Sequence, residues 1–305
     1  MATVRRSGRR AERGQALVVS VVFLAALLAM AGGVVDVGSW YWQDRKLQGT
    51  ADAAALAGAQ GLTSGTAKTL AVQYGTTNGG GVAASDVTLS APDAPTDTVT
   101  VQAHKVAPTF FTRLFGLTSV NVKAQATARA GIPEKAKWAA PIAVDKQHPK
   151  LSGPGCPCFN QATDLDLEKV GPGAFRLINL DGDKGGTGPT IVADWILHGY
   201  DGYMPLDWYF SDSGAKFNSS QVKDAMQMRV GDTMLFPIYT DTRAQGSNFQ
   251  YYVVGWAGFH ITSFSANGNS GKINGWFESV LWEGVLGATD DSADDFGVRS
   301  IELVG

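Results

Sequence analysis

Two cysteines, Cys156 and Cys158, are the residues whose type and spacing first suggest redox or metal chemistry. A single proline separates them, so they do not form the Cys-x-x-Cys pattern of thiol oxidoreductases. A structural zinc site needs about four ligands, and the chain has no second cysteine pair. Two interpretations stay open: a short local disulfide, which an oxidising compartment permits, or two thiols in a loop.

The other motifs do not assemble a catalytic set. The histidines are His104, His148, His198 and His260, and no two of them are spaced i, i+4 around a glutamate. No G-x-S-x-G nucleophile elbow occurs. Residues 268–272 resemble part of a phosphate loop, but Ala266 takes the place of its first glycine and Ile273 that of its Ser or Thr. We therefore expect no enzymatic activity, no catalytic residue and no cofactor.

Two acidic segments leave weak calcium binding open. Residues 181–186 begin like a calcium loop, but its twelfth position, which should carry a bidentate acid, is Val192. The second segment contains Asp290, Asp291, Asp294 and Asp295. We interpret both as hydrated turns and predict no metal site.

Aromatic residues are dense in the last third of the chain. They are Trp195, Tyr200, Tyr203, Trp208, Tyr209, Phe210, Tyr251, Tyr252, Trp256, Trp276 and Trp282. Most are expected to pack a core. The segment 200–210, however, mixes glycine, aspartate and aromatics, a composition that suits a loop binding a glycan or a partner protein.

The elements that must position these residues begin with an uncharged apolar run at residues 16–35. About 20 helical residues at 1.5 Å each cover the roughly 30 Å hydrocarbon core of a bilayer. Arg9, Arg10 and Arg13 precede the run, and Trp40, Tyr41 and Trp42 follow it. Basic residues favour the cytoplasmic side and aromatics the interface, so these six are the predicted membrane-interface anchors. We predict a single transmembrane helix, with residues 1–15 in the cytoplasm and the bulk of the chain outside.

A cleaved signal peptide is the competing interpretation of this segment. The tripeptide Ala29-Met30-Ala31 matches the small-residue pattern of a cleavage site. The apolar run continues past that site and exceeds the usual length of about 7–15 residues, which favours an uncleaved anchor.

An alanine-rich extension, residues 36–61, continues the predicted helix without a proline. Small residues recur every four positions in both halves of the helix: Ala25, Ala29 and Gly33 in the membrane, and Ala51, Ala55 and Ala59 beyond it. Such stripes let helix backbones approach closely, and we predict that they pack against helices of other envelope subunits. Ordinary alanine usage is the alternative for the membrane stripe.

The ordered motifs of this segment resemble a known family. They are Arg13-Gly14-Gln15-Ala16-Leu17, the apolar run, Val35-Asp36-Val37-Gly38, Arg45-Lys46-Leu47-Gln48 and the alanines from Ala51 to Ala59. Over residues 13–61 they resemble the N-terminal module of the TadE/TadG-like Flp pilus-assembly proteins. The resemblance implies an envelope protein of a tight-adherence pilus or secretion system. Pseudopilin relatives carry a glutamate five residues after their cleavage glycine, whereas here Val19 follows Gly14 at that spacing.

The remaining chain predicts folded extracytoplasmic units of α+β class. With 37 glycines, 12 prolines and 44% hydrophobic residues among 305, it has material for turns, strands and a core. Residues 62–130 predict a small pilin-like α+β module with a helix at 66–74 and strands at 86–90, 98–104 and 120–128. Between the last two strands, residues 108–116 predict a compact apolar turn or short helix. Residues 134–305 predict a strand-rich domain with mixed α/β elements and antiparallel sheets. Its predicted strands lie at 175–180, 233–239, 251–264 and 272–281. Its predicted short helices lie at 190–198, directly after Pro189, and at 219–229, capped by Ser219 or Ser220.

These observations together predict a non-enzymatic, membrane-anchored subunit of a Flp pilus-assembly or secretion system, acting as a scaffold or pseudopilin-like component. Its expected partners are the lipid bilayer and other pilus-assembly or envelope proteins. The net charge of −3 gives no reason to expect nucleic acid. A membrane-tethered surface protein that binds glycan or cell wall through the aromatic-rich region is the alternative.

Overall fold

The structure is a computed structural model that describes residues 9–62, 64–90, 98–167, 176–184, 186–267, 270–287 and 294–304. It is an α+β protein: one long N-terminal helix is followed by short helices and antiparallel sheets, as the sequence predicted. The backbone contacts divide the described residues into two compact units. The first holds residues up to Ser90, then Val99–Ala128 and the last residues from Leu303. The second holds Thr98 and Arg129–Glu302.

The first unit is built on α1, a continuous helix of 52 residues from Arg9 to Gln60. Because strong helix formers fill it and no proline interrupts it, the membrane run and the alanine-rich extension form one element. The remaining elements of the unit are α2 (Ala67–Thr77), β1 (Val87–Leu89), β2 (Thr98–Pro108) and β3 (Ser119–Gly131, whose last residues belong to the second unit). The strands lie in the order β1-β2-β3, and β1 pairs antiparallel with β2.

The alternation of apolar and polar residues in β2 and β3 gives this sheet a buried face. Val99, Val101 and Ala103 are buried on β2, as are Val122 and Ala124 on β3. The face packs on α1 at Gly58, where a Cβ atom would lie 2.7 Å from Val99 Cγ1. A glycine is therefore needed there, since only a residue without Cβ lets helix and strand approach so closely.

The second unit has a central sheet of order β5-β9-β10-β11-β6, with β8 also paired to β10. Its elements are β4 (Pro133–Ala136), β5 (Val144–Asp145), α3 (Pro149–Ser152), β6 (Thr163–Asp166), α4 (Pro189–His198), β7 (Met204–Pro205), β8 (Trp208–Phe210), α5 (Ser220–Met228), β9 (Thr233–Arg243), β10 (Gln250–Asn267), β11 (Ser270–Glu278), β12 (Val280–Leu281), β13 (Gly284–Leu286) and β14 (Val298–Leu303). A smaller sheet has the order β13-β4-β7, and β12 pairs parallel with β14.

The longest predicted elements of this unit are present. Strands β9 and β10 pair antiparallel and cover the predicted segments 233–239 and 251–264. Helix α4 begins at Pro189, and helix α5 is capped by Ser219, whose hydroxyl accepts a hydrogen bond from the Val222 amide. The strand predicted at 175–180 is reduced to isolated bridges at Leu177 and Ile178, and residue 175 lies outside the described residues.

Candidate membrane anchor and its docked hairpin

The N-terminal half of α1 exposes an apolar surface on all sides. Residues 16–31 are exposed throughout, and Leu17 and Phe23 keep 65% and 63% of their surface accessible. In the described part of the chain, this is the one helix long and apolar enough to cross a bilayer. A helix that is hydrophobic all round and unburied needs an apolar environment, so the segment indicates a single-pass membrane protein.

The predicted interface residues lie where the apolar run ends. Tyr41 and Trp42 are exposed, and cations of the next turn pack on them: Arg45 lies 5.3 Å from the Tyr41 ring centroid, and Lys46 lies 5.3 Å from that of Trp42. Trp40 is half-buried. Amphipathic rings with adjacent cations suit the headgroup level of a membrane. The side chains of Arg9, Arg10 and Arg13 lie outside the described residues.

Asp36, the first charged residue after the apolar run, anchors a hairpin of the same unit to α1. Its side chain is fully buried and its carboxylate accepts hydrogen bonds from three consecutive amides: Phe110 (2.9 Å), Phe111 (3.0 Å) and Thr112 (2.6 Å). The Thr112 hydroxyl donates a further bond at 2.8 Å. All these partners are donors, so the arrangement fits an ionised carboxylate.

The segment held by Asp36 is the connection between β2 and β3, which we call the hairpin tip (residues 109–118). A short 3-10 helix, Thr112–Phe115, turns the chain, and Gly116 closes it at a φ of 90°, where a side chain would be strained. The sequence predicted a compact apolar turn or short helix here. It did not predict the contact with Asp36, since nothing in the local pattern links residues more than 70 positions apart.

Gly32 lets the hairpin tip reach the helix. A Cβ atom at position 32 would lie 2.6 Å from Phe111 Cγ, whereas one at position 33 would meet nothing within 4 Å. The predicted membrane stripe borders the same place: Ala25, Ala29 and Gly33 line a groove of about 520 Å³ beside the tip. The stripe thus lines an open groove beside the tip, and its residues Ala25 and Ala29 remain exposed there.

One family model matches the chain, and it matches this segment. Residues 14–61 fit the family described as "Putative Flp pilus-assembly TadE/G-like". Over these residues the chain is similar to that family. No curated protein and no solved structure matches the chain. The family match supports a pilus-related role, and with the membrane helix it indicates partners in the membrane and envelope.

The outer half of the segment that matches the family model packs within its own unit. Ala51, Ala55 and Ala59 are buried, with at most 2% of their surface accessible. The hydroxyl of Thr50 on the same face donates to the Asn78 carbonyl at the end of α2 (2.8 Å). This face is covered by α2 and the sheet, so Ala51, Ala55 and Ala59 pack inside their own unit. Contacts of this half of α1 with other subunits would use a different face of the helix.

Replacing Gly32 by alanine is expected to loosen the hairpin tip, because the new methyl group overlaps the Phe111 ring. Overpacking costs about 1 kcal/mol or more, which corresponds to roughly a fivefold or larger rise in the open population. Trypsin cleavage after the exposed Arg113, followed in the full chain in lipid, should accelerate accordingly. Gly33→Ala is the matched control and should cleave at the wild-type rate. Equal rates for both variants would show that the ring does not rest on Gly32.

The chemistry-bearing residues of the second unit are mostly engaged in local structure. Cys156 and Cys158 are joined by a disulfide, with an S–S distance of 1.99 Å. The imidazole of His148 is half-buried, and this burial lowers its pKa. His260 stacks on Trp276 at 4.4 Å between centroids. Among the described residues, no three His, Cys, Asp or Glu side chains are grouped to hold a metal ion.

The acidic segments are likewise paired with neighbouring groups. Asp181 accepts the Asp183 amide (2.9 Å), which makes the first segment a tight turn. In the second segment Asp294 pairs with Lys146 at 2.8 Å, and both Asp295 carboxylate oxygens accept from Arg299. Burial tends to raise the pKa of Asp295, but the bonds from Arg299 and the Gly297 amide hold it below its usual value. Asp290 and Asp291 lie outside the described residues.

The phosphate-loop-like stretch and most of the aromatic residues have structural roles. Residues 268 and 269 of the phosphate-loop-like stretch lie outside the described residues. Its Lys272 lies on β11 and pairs with Asp164 (2.9 Å) and Asp166 (3.3 Å) of β6. Of the aromatics, Tyr209, Tyr251 and Trp256 are buried in the core, whereas Tyr203 is about half exposed.

A cleft in the second unit brings three indole side chains together. Trp138, Trp195 and Trp282 line it together with His198 and Arg229, and its volume is about 230 Å³. The Lys137 ammonium lies 4.2 Å from the Trp138 ring centroid, and its ion pair with Asp201 raises the pKa of Lys137. The Trp138 indole donates to Glu283 at 2.8 Å. These contacts hold an aromatic surface at the mouth of the cleft.

Proposed function

We propose that the chain is a non-enzymatic, membrane-anchored subunit of a Flp (tight-adherence) pilus-assembly or secretion system. The observation that carries the proposal is that the family match and the apolar helix overlap in the sequence. The segment that matches the pilus-assembly family, residues 14–61, contains the exposed apolar part of α1. A pseudopilin-like or scaffold role fits this arrangement, because the helix presents an unburied surface to other membrane subunits while the folded units stay attached to it.

The distribution of charge supports one orientation. Arg9, Arg10 and Arg13 precede the apolar run, and aromatic residues follow it. Basic residues near a membrane helix favour the cytoplasmic side. In the proposed topology residues 1–15 are therefore cytoplasmic, and both folded units lie on the opposite side of the membrane.

Co-purification from native membranes tests the role. The tagged full chain is expected to recover other pilus-assembly subunits. A matched variant with residues 16–24 shuffled keeps the length and composition of the anchor and changes only its exposed surface. It should stay in the membrane and recover these subunits several-fold less well. Equal recovery by both chains would contradict a role for this helix surface.

The second candidate is a membrane-tethered surface protein that binds glycan or cell wall. The three-tryptophan cleft favours it, because indole faces stack on sugar rings and polar groups at the rim can bind hydroxyls. In the same co-purification, recovery of cell-wall polymer without any pilus-assembly subunit would support this candidate and contradict the first.

A further inference from the structure

The hairpin tip exposes more apolar surface than a water-facing loop of this size tolerates. Leu114 and Phe115 keep 86% and 77% of their surface accessible, and Phe110 and Leu117 are also exposed. With Phe111, which is 49% exposed, five large apolar side chains are grouped within eight residues, unlike the scattered single residues of ordinary surfaces. This apolar group therefore needs a partner.

The position of the tip on α1 indicates which partner it has. The groove that Phe111, Leu114 and Phe115 border runs along α1 from Val35 back to Ala25. At 1.5 Å per residue, this stretch reaches about 16 Å inward from Asp36, roughly half of a hydrocarbon core of about 30 Å. All the helix residues that line the groove belong to the apolar run, so the tip lies alongside the part of α1 that the bilayer surrounds.

We propose that the hairpin tip dips into the leaflet next to the folded units, and that lipid acyl chains cover its apolar side chains and fill the groove. This inference rests on the membrane anchor of the proposed function and adds a second lipid-contacting element to it. Lipid is the expected occupant because the exposed apolar surface of the tip adjoins the exposed apolar surface of residues 16–31.

Most amides of the tip have the hydrogen-bond partners that a hydrocarbon environment requires. Polar groups without partners are costly where no water is present. Asp36 satisfies the amides of residues 110–112, and the amides of Leu114, Gly116 and Leu117 donate to carbonyls of the tip itself. The Thr109 hydroxyl donates to the Leu117 carbonyl. These bonds suit a short turn that enters a membrane. In a solvated loop, water could satisfy the same polar groups.

The charges around the tip fit the headgroup region. Arg113 is exposed on the tip, and its long stem can carry the guanidinium toward phosphates at the surface. Lys105 on β2 and Lys123 on β3 line one shallow groove on the strands that lead into the tip. Apolar insertion flanked by cations is the arrangement by which peripheral elements bind anionic lipid surfaces.

Spin labels at introduced cysteines test the depth of the tip. The full chain is reconstituted in vesicles of phosphatidylethanolamine and phosphatidylglycerol, and the native disulfide leaves Cys156 and Cys158 unlabelled. Labels are placed at Leu114→Cys on the tip, at Val22→Cys in the anchor and at Gln73→Cys on the exposed face of α2. Collision with oxygen, which partitions into lipid, is compared with collision with a polar nickel chelate.

The Leu114 label should show an oxygen-to-nickel ratio close to that of the Val22 label and several-fold above that of the Gln73 label. A ratio like that of Gln73 would place the tip in water and overturn the inference. A label shielded from both reagents would show a protein partner in place of lipid and overturn it as well. If the Val22 label also behaves as water-exposed, the anchor itself fails, which distinguishes that failure from failure of the tip alone.

Discussion

Replacement of Asp36 by alanine is expected to release the hairpin tip from α1. The variant leaves the amides of Phe110, Phe111 and Thr112 without their acceptor and the Thr112 hydroxyl without its carboxylate partner. In an apolar environment, water cannot replace the lost charged acceptor of these buried amides. The docked state is therefore destabilised by several unsatisfied donors and not by the loss of one bond alone. Asp36→Asn keeps one carbonyl oxygen as acceptor and should show a smaller effect of the same sign.

Amide hydrogen–deuterium exchange measures this directly in the full chain in lipid. Peptides containing residues 110–112 should exchange roughly tenfold faster or more in the Asp36→Ala variant, since losing a bond to a charged acceptor shifts such an equilibrium by about that factor. Asp44→Ala is the matched control, because Asp44 lies on the same helix and is exposed. Unchanged protection of residues 110–112 in Asp36→Ala would show that the tip is held by other contacts.

Replacement of Asp212 by alanine is expected to cause a large loss of stability in the second unit. Asp212 is buried, forms an ion pair with Lys216 and accepts the amides of Ser213 (2.6 Å) and Thr187 (3.2 Å). The Thr187 hydroxyl in turn donates to Asn179 at 2.8 Å, which ties the segment before α4 to the core. Removing one partner of a buried pair leaves the other charge uncompensated and typically costs about 3–5 kcal/mol.

Urea unfolding, monitored by tryptophan fluorescence, measures the free energy of unfolding of each variant and so checks the expected loss of stability. Asp224→Ala is the control, because Asp224 is exposed on α5, and its change should stay within about 0.5 kcal/mol. A double variant, Asp212→Leu with Lys216→Met, removes both charges and should recover part of the loss. An Asp212→Ala variant as stable as its control would mean that the ion pair does not hold this region.

The elements that could be predicted from the sequence are those encoded by a pattern of neighbouring residues. The apolar run, the proline-free extension and the alternation in β2 and β3 each encode their structure within a few turns or residues, and all of them form. The start of α4 at Pro189 and the Ser219 cap of α5 belong to the same class. The strand predicted at 175–180 forms only bridges, because its neighbours in space are single residues of loops and not a strand.

The docking site of the hairpin tip could not be predicted in this way. Asp36 was visible as a family motif residue and Phe110 to Phe115 as an apolar turn, but their contact joins segments more than 70 residues apart. Gly32 and Gly33 are indistinguishable in sequence, and only the position of Phe111 shows that position 32 excludes a side chain. The last residues of the chain illustrate the same limit: they group with the first unit, where the Val304 amide donates to Thr127, although the predicted distal domain ran to residue 305.

Membrane extraction combined with protease accessibility tests the central claim, that residues 16–35 anchor the chain with its folded units outside. In spheroplasts of cells producing the chain with an N-terminal tag, the protein should resist alkaline extraction. Protease added from outside should degrade both units and leave a short tagged fragment ending shortly after the aromatic residues 40–42. A mature chain that begins near Gly32 and is recovered in the culture medium, or a tag removed by external protease, would contradict the account.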